Sequence, residues 1–159
     1  MSATALTHQW TTPARKRAFL NAIAIGVPLA IGAGAVAWRL AGIGAGIATI
    51  AIGLTLSLLI AQRLAARFDQ DWLIRALDAR RPDMEDSAAL LFADEASLGP
   101  LQRLQQARLT ARIDADTPDR LAPDWQRRSI ALTAIAALII VALALLWPRP
   151  GQGPPTLAP

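Results

Sequence analysis

Residues 20–38, LNAIAIGVPLAIGAGAVAW, and residues 40–61, LAGIGAGIATIAIGLTLSLLIA, are two charge-free stretches divided by a single arginine, Arg39. A helix needs about 20 predominantly apolar residues to cross the hydrocarbon core of a bilayer, and each stretch supplies that length. The chain around Arg39 and Gly42 is too short for anything but a tight turn, so the pair predicts a transmembrane helical hairpin. A third stretch, SIALTAIAALIIVALALLW at 129–147, is richest in Leu, Ile and Val, the side chains whose insertion is most favourable.

Between the second and third stretches lies the polar part of the chain. All 12 acidic residues, Asp69 to Asp124, fall there. The expected architecture is therefore an all-α integral membrane protein. A basic amino-terminal arm (1–19) leads into the hairpin (20–61), a helical insert (62–128), a third transmembrane helix (129–147) and a proline-rich tail (148–159). The positive-inside rule places the arm, with Arg15, Lys16 and Arg17, and the insert in the cytosol, leaving only Arg39 and Arg149 outside. The amino terminus is then expected in the cytosol and the carboxyl terminus outside it. Trp38 and Trp147 then fall at the outer ends of spans, and Trp10 and Trp125 near the cytosolic face, where indoles favour headgroups. The net charge of +4 divides among these segments in a topogenic pattern, so nucleic acid is not an expected partner. A competing reading treats Arg15–Arg17, the apolar run and Ala35-Val36-Ala37 as a cleaved secretory signal. The length of the run, Pro28 within it and the second span directly after it count against cleavage.

The first two spans are rich in small residues. Gly26, Ala30 and Gly34 form an i, i+4, i+8 stripe, and Gly42 and Gly46 have GxxxG spacing, with Gly32, Gly44 and Gly53 as further close-approach positions. Small side chains let backbones approach where no hydrophobic drive exists between helices. The stripe predicts either self-packing of the hairpin or a surface for another subunit. Pro28 removes a backbone donor within the first span and is able to kink it. No span interior holds an ionisable residue, which argues against a self-contained ion-coupled transporter.

Within the insert, QRLAARFDQDWLIRALDARR (62–81) predicts a helix running straight on from the second span, with Leu64, Phe68 and Trp72 at four-residue steps, and Leu77 on an adjoining face. Pro82 is its expected end. Asp86 or Ser87 is placed to cap a short helix carrying Leu90, Leu91 and Phe92. Pro100 suits a first helical position, with Ser97 or Gly99 before it, and the helix should run to about Asp114 with Leu101 and Leu104 on one face, Leu109 and Ile113 on another. Arg127 and Arg128 precede the third span as stop signals.

Chemistry finds little support. Asp83, Glu85 and Asp86 cluster without the spacing of a calcium loop, and His8 has no companion ligand. The glycine-rich GIGAG at 42–46 opens a membrane span and so does not join a strand to a nucleotide-binding helix. Ser57 and Ser87 lack a base at a useful spacing. Without cysteine there is no disulfide or thiolate chemistry within the chain. Arg103, Arg108 and Arg112 have no interleaved aromatics, and Gln102, Gln105 and Gln106 beside them suit protein contact better than RNA. No enzyme activity, metal or cofactor is expected.

The stretches LDARRPDMEDSAALLF (77–92) and LGPLQRLQQARLTARI (98–113) resemble the region between the second and third membrane helices of large, uncharacterised bacterial inner-membrane proteins. The resemblance implies a three-helix amino-terminal membrane module leading toward an extracytoplasmic portion, or a shortened relative, and it carries no catalytic residue. The functional expectation is a noncatalytic membrane anchor or assembly subunit. It would contact membrane lipids and dock a membrane or cytosolic protein partner, with Leu64, Phe68, Trp72 and Leu77 as candidate anchors. The alternative is an accessory subunit of a bacterial envelope transporter that uses the small-residue stripe.

Overall fold

Three helices carry the apolar stretches, and all three are long and apolar enough to cross a membrane: α1 (Ala3–Ala41), α2 (Ile43–Ala66) and, at the far end of the chain, α6 (Arg127–Leu146). The computed structural model describes residues 3–80, 87–93, 95–111 and 117–146. Between α2 and α6 come α3 (Gln70–Arg80), two 3₁₀ turns (Ala88–Phe92 and Glu95–Ser97), α4 (Pro100–Ala111) and α5 (Thr117–Leu121), and no strand occurs among the described residues. The chain divides into two compact units: Met1–Leu20 with Ala61–Trp125, and Asn21–Ile60 with Gln126–Pro159.

In the apolar unit, the hairpin closes at Gly42, whose φ of +90° is the left-handed conformation that favours glycine. Its amide donates to the Trp38 carbonyl (2.9 Å), which caps α1, and its own carbonyl accepts from Gly46 (3.2 Å) at the start of α2. Below the turn the two helices pack as a ladder of small residues. A Cβ added at Gly26 would overlap Ser57, one at Gly53 would lie 2.7 Å from the Ala30 Cβ, and one at Gly34 would overlap Ile50. Nearest the turn, one at Gly46 would lie 2.7 Å from the Trp38 Cβ. Gly32, on another side of α1, admits α6, with Ala137 Cα 3.6 Å from the position a Cβ would take. Asn21, buried in this unit, accepts a hydrogen bond through Oδ1 from the Gln126 amide (3.4 Å), one of the donors an α-helix leaves unpaired at its start. Most large side chains of α6, among them Leu132, Ile135, Leu138 and Leu143, face outward, which suits a hydrocarbon surrounding.

The other unit has its own core, built from Trp10, Leu73, Leu77, Ala88, Leu91, Phe92, Leu109 and Leu121. Its first member comes from α1. The polar arm is thus helical from Ala3, and Trp10 is 8% exposed, edge-on to Phe92 with ring centroids 6.0 Å apart, where a headgroup position was expected. Pro13 leaves a carbonyl of the preceding turn without its amide partner. Nearby, the Thr11 and Thr12 hydroxyls donate to the carbonyls of Thr7 (3.0 Å) and His8 (2.6 Å). Arg15 and Arg17, expected to act only as topogenic charges, also tie this unit together. The Arg15 Nε donates to the Phe68 carbonyl (2.8 Å), and Arg17 lies 3.7 Å from the Asp119 carboxylate.

The expected continuous helix from the second span into the insert is broken. α2 ends at Ala66 in a tightened last turn, in which the Arg67 and Phe68 amides donate to carbonyls three residues back, and α3 starts at Gln70. Asp69 makes the new start, its Oδ1 accepting from the Trp72 amide at 2.8 Å. Ser87 precedes a 3₁₀ turn and makes no side-chain cap, whereas the Ala88 amide donates to Asp78 Oδ1 at 3.1 Å. α4 begins at Pro100 as expected, with Gln102 Oε1 accepting from the Gly99 amide (3.0 Å), one half of a capping box. Pro82, the acidic cluster at Asp83, Glu85 and Asp86, and Arg112, Ile113, Trp147 and the proline-rich tail lie outside the described residues.

Candidate docking surface

The four side chains expected to anchor a partner are not on one open face. Leu77 is 0% exposed and belongs to the core, which removes it as a contact residue. Trp72 is half-buried and packs against that core. Phe68, also half-buried, meets Trp72 edge-on with centroids 4.7 Å apart, so the break between α2 and α3 folds one ring onto the other. Leu64 is half-buried in the last turns of α2. Leu64, Phe68 and Trp72 each keep only part of their surface open to a partner.

Side chains that the sequence reading did not choose as anchors are more open. Leu101 and Leu104 on α4 are 80% and 64% exposed, while Leu109 of the same helix is buried. The helix is held in this rotation by its polar residues. Gln106 donates to the carbonyls of Leu90 (2.9 Å) and Ala93 (3.4 Å), Gln105 donates to the Ser87 hydroxyl (3.0 Å), and Arg103 Nε donates to the Leu98 carbonyl (3.0 Å). The glutamines expected to serve protein contact therefore bind their own unit, and the leucine pair with exposed Arg108 is what α4 presents outward. Positions 101, 104 and 108 share one helical face. The i, i+3 spacing of two leucines opposite a glutamine face was the available signal. Spacing alone does not rank that face above the other, because both faces of α4 contain leucine.

In the hairpin, the stripe of Gly26, Ala30 and Gly34 meets α2, and Gly46 meets Trp38. Gly42 makes the turn, with nothing within 4 Å of an added Cβ, so it does not join the packing assigned to it from its GxxxG spacing. The hydroxyls of Thr55, Ser57 and Thr133 donate to carbonyls of their own helices. Among the described residues no three His, Cys, Asp or Glu side chains gather where they could hold a metal ion, and no buried side-chain polar atom lacks a hydrogen-bond partner. No family model, curated protein or solved structure matches this chain.

Proposed function

We propose that this protein is a noncatalytic anchor or assembly subunit of a bacterial inner membrane, crossing it three times and presenting its polar unit to the cytosol. The docking face is the outward side of α4, and its partner is an amphipathic helix whose apolar anchors cover Leu101 and Leu104 and whose acidic flank meets Arg108. One observation carries this reading: two leucines stand open on a helix that Gln105 and Gln106 tie to Ser87 and Leu90. A helix laid against such a face gains affinity from apolar anchors at helical spacing and register from charge. Phe68 and Trp72 serve the fold of the unit first, and their exposed edges second.

The test is purification of the natively expressed protein in mild detergent, with mass analysis of everything retained. A discrete partner is expected, and the double substitution Leu101→Gln with Leu104→Gln should lower its recovery about tenfold or more while the protein stays folded, as loss of central anchors does. A chain that purifies alone, or a partner unaffected by the double substitution, would overturn the reading. The same preparation gives the intact mass. A native species heavier than 16.9 kDa would support the reading of these residues as the membrane module of a larger inner-membrane protein.

A further inference from the structure

Arg127 and Arg128 open α6, and both are exposed. Among the described residues neither side chain has a hydrogen-bond or ion-pair partner. No acidic residue lies in the first turn of the helix, and the positive end of its dipole opposes both cations. Nothing within the described chain offsets this pair of like charges. On the same helix Leu132, Ile135 and Ile139 are 68%, 57% and 51% exposed. They follow Arg128 at steps of four, three and four residues, so the guanidinium and the three aliphatic side chains share one face. That face is a single outward stripe, cationic at its start and aliphatic beyond.

We propose that the two arginines hold one anionic phospholipid, its phosphodiester on the guanidinium groups and an acyl chain along Leu132, Ile135 and Ile139. The occupant follows from what the stripe joins. From Arg128 to Ile139 the helix rises about 16 Å, roughly half a hydrocarbon core and so the reach of one acyl chain below its phosphate. An acidic protein segment would answer the charges and leave the aliphatic side chains uncovered, whereas a phospholipid answers both. Arginine suits phosphate better than lysine does, because its planar fork donates two parallel hydrogen bonds. A zwitterionic lipid offers the same chain with a compensating positive charge, so the pair selects by net headgroup charge. The proposal rests on the membrane crossing proposed above and not on the α4 face.

Native mass spectrometry of the full chain, released from nanodiscs that hold phosphatidylglycerol and phosphatidylcholine at equal mole fraction, tests this. Phosphatidylglycerol should be retained about fivefold or more over phosphatidylcholine, the ratio that even one basic residue near a bilayer surface supports. Arg127→Gln with Arg128→Gln should bring the ratio to about one, and the two lysine substitutions should keep part of it. Arg63→Gln with Arg67→Gln removes as much charge from the carboxyl end of α2, where the dipole favours a cation and opposes a phosphate, and should leave the ratio unchanged. Equal retention of both lipids by the unmodified chain, the result for a patch that meets an acidic protein segment instead, would overturn the proposal. So would a preference that survives loss of Arg127 and Arg128, or an equal fall on loss of Arg63 and Arg67. A chain that does not enter the nanodisc would overturn the membrane crossing, and the proposal with it. Phosphatidylglycerol carrying a photoreactive acyl chain gives the location without any variant. Adducts are expected within residues 132–139, and adducts confined to α1 or α2 would contradict the site.

Discussion

Gly53 and Gly44 lie on the same helix in opposite surroundings, which makes them a matched pair for testing the hairpin. A Cβ at Gly53 would press on the Ala30 Cβ and, at 3.2 Å, on its Cα, atoms that yield only if the helices move apart. At Gly44 it would meet nothing. Gly53→Ala should therefore destabilise the hairpin by about 1–3 kcal/mol, the usual cost of overpacking. Gly44→Ala should be neutral or slightly stabilising, since alanine is the better helix former. Unfolding in mixed micelles against increasing SDS measures both. In the polar unit, Leu77→Ala should cost about 2–5 kcal/mol as a fully buried leucine, read by chemical denaturation. The small-residue stripe on α1 was legible from its four-residue spacing, because only close backbones reward small side chains in an apolar setting. The role of Gly42 was not, since spacing cannot tell a packing glycine from one that supplies a positive φ. Trp10 was misplaced for a similar reason: an indole near a membrane boundary suits headgroups and a helical core equally well.

α3 exists as a separate helix because of one carboxylate. QRLAARFDQDWL contains neither proline nor glycine and keeps helical periodicity throughout, so nothing in the pattern announces a break after Ala66. Asp69 takes the N-cap position and pairs with the Trp72 amide, and Arg15 occupies the Phe68 carbonyl left over at the break. Asp69→Ala should remove about 0.5–2 kcal/mol from the polar unit, the range for a lost N-cap, as a shift in its denaturation midpoint while the apolar unit is unchanged. α4 was the more readable element. Pro100 at the first turn with Gln102 reaching back gives its start in plain chemical terms. Its rotation came from Gln105 and Gln106, whose partners on the Ala88–Phe92 turn and nearby are distant in sequence. The Leu101 and Leu104 double substitution belongs at this scale too. It should weaken partner retention with a stability change within about 0.5 kcal/mol, as for exposed sites.

At the scale of the whole molecule, the three apolar helices and the polar interval between them follow from hydropathy alone. What hydropathy left out is that α1 serves both units, its first part in the core with Leu73 and Phe92, its second in the small-residue ladder with α2. The 39 residues of α1 correspond to about 58 Å of helix, roughly twice a hydrocarbon core, so the proposed crossing requires part of α1 to lie outside it. In the proposed topology Arg15, Lys16 and Arg17 stand where that part ends, on the cytosolic side to which the positive-inside rule assigns basic residues. The topology proposed above is a threefold crossing with the polar unit in the cytosol and the hairpin turn outside. Because the chain lacks cysteine, single cysteines report position without background. The most direct measurement is labelling of Ala41→Cys and Ala107→Cys in intact spheroplasts by a membrane-impermeant maleimide. The account predicts that Ala41→Cys reacts at once and Ala107→Cys only after permeabilisation. The reverse order, or prompt reaction of both, would contradict it.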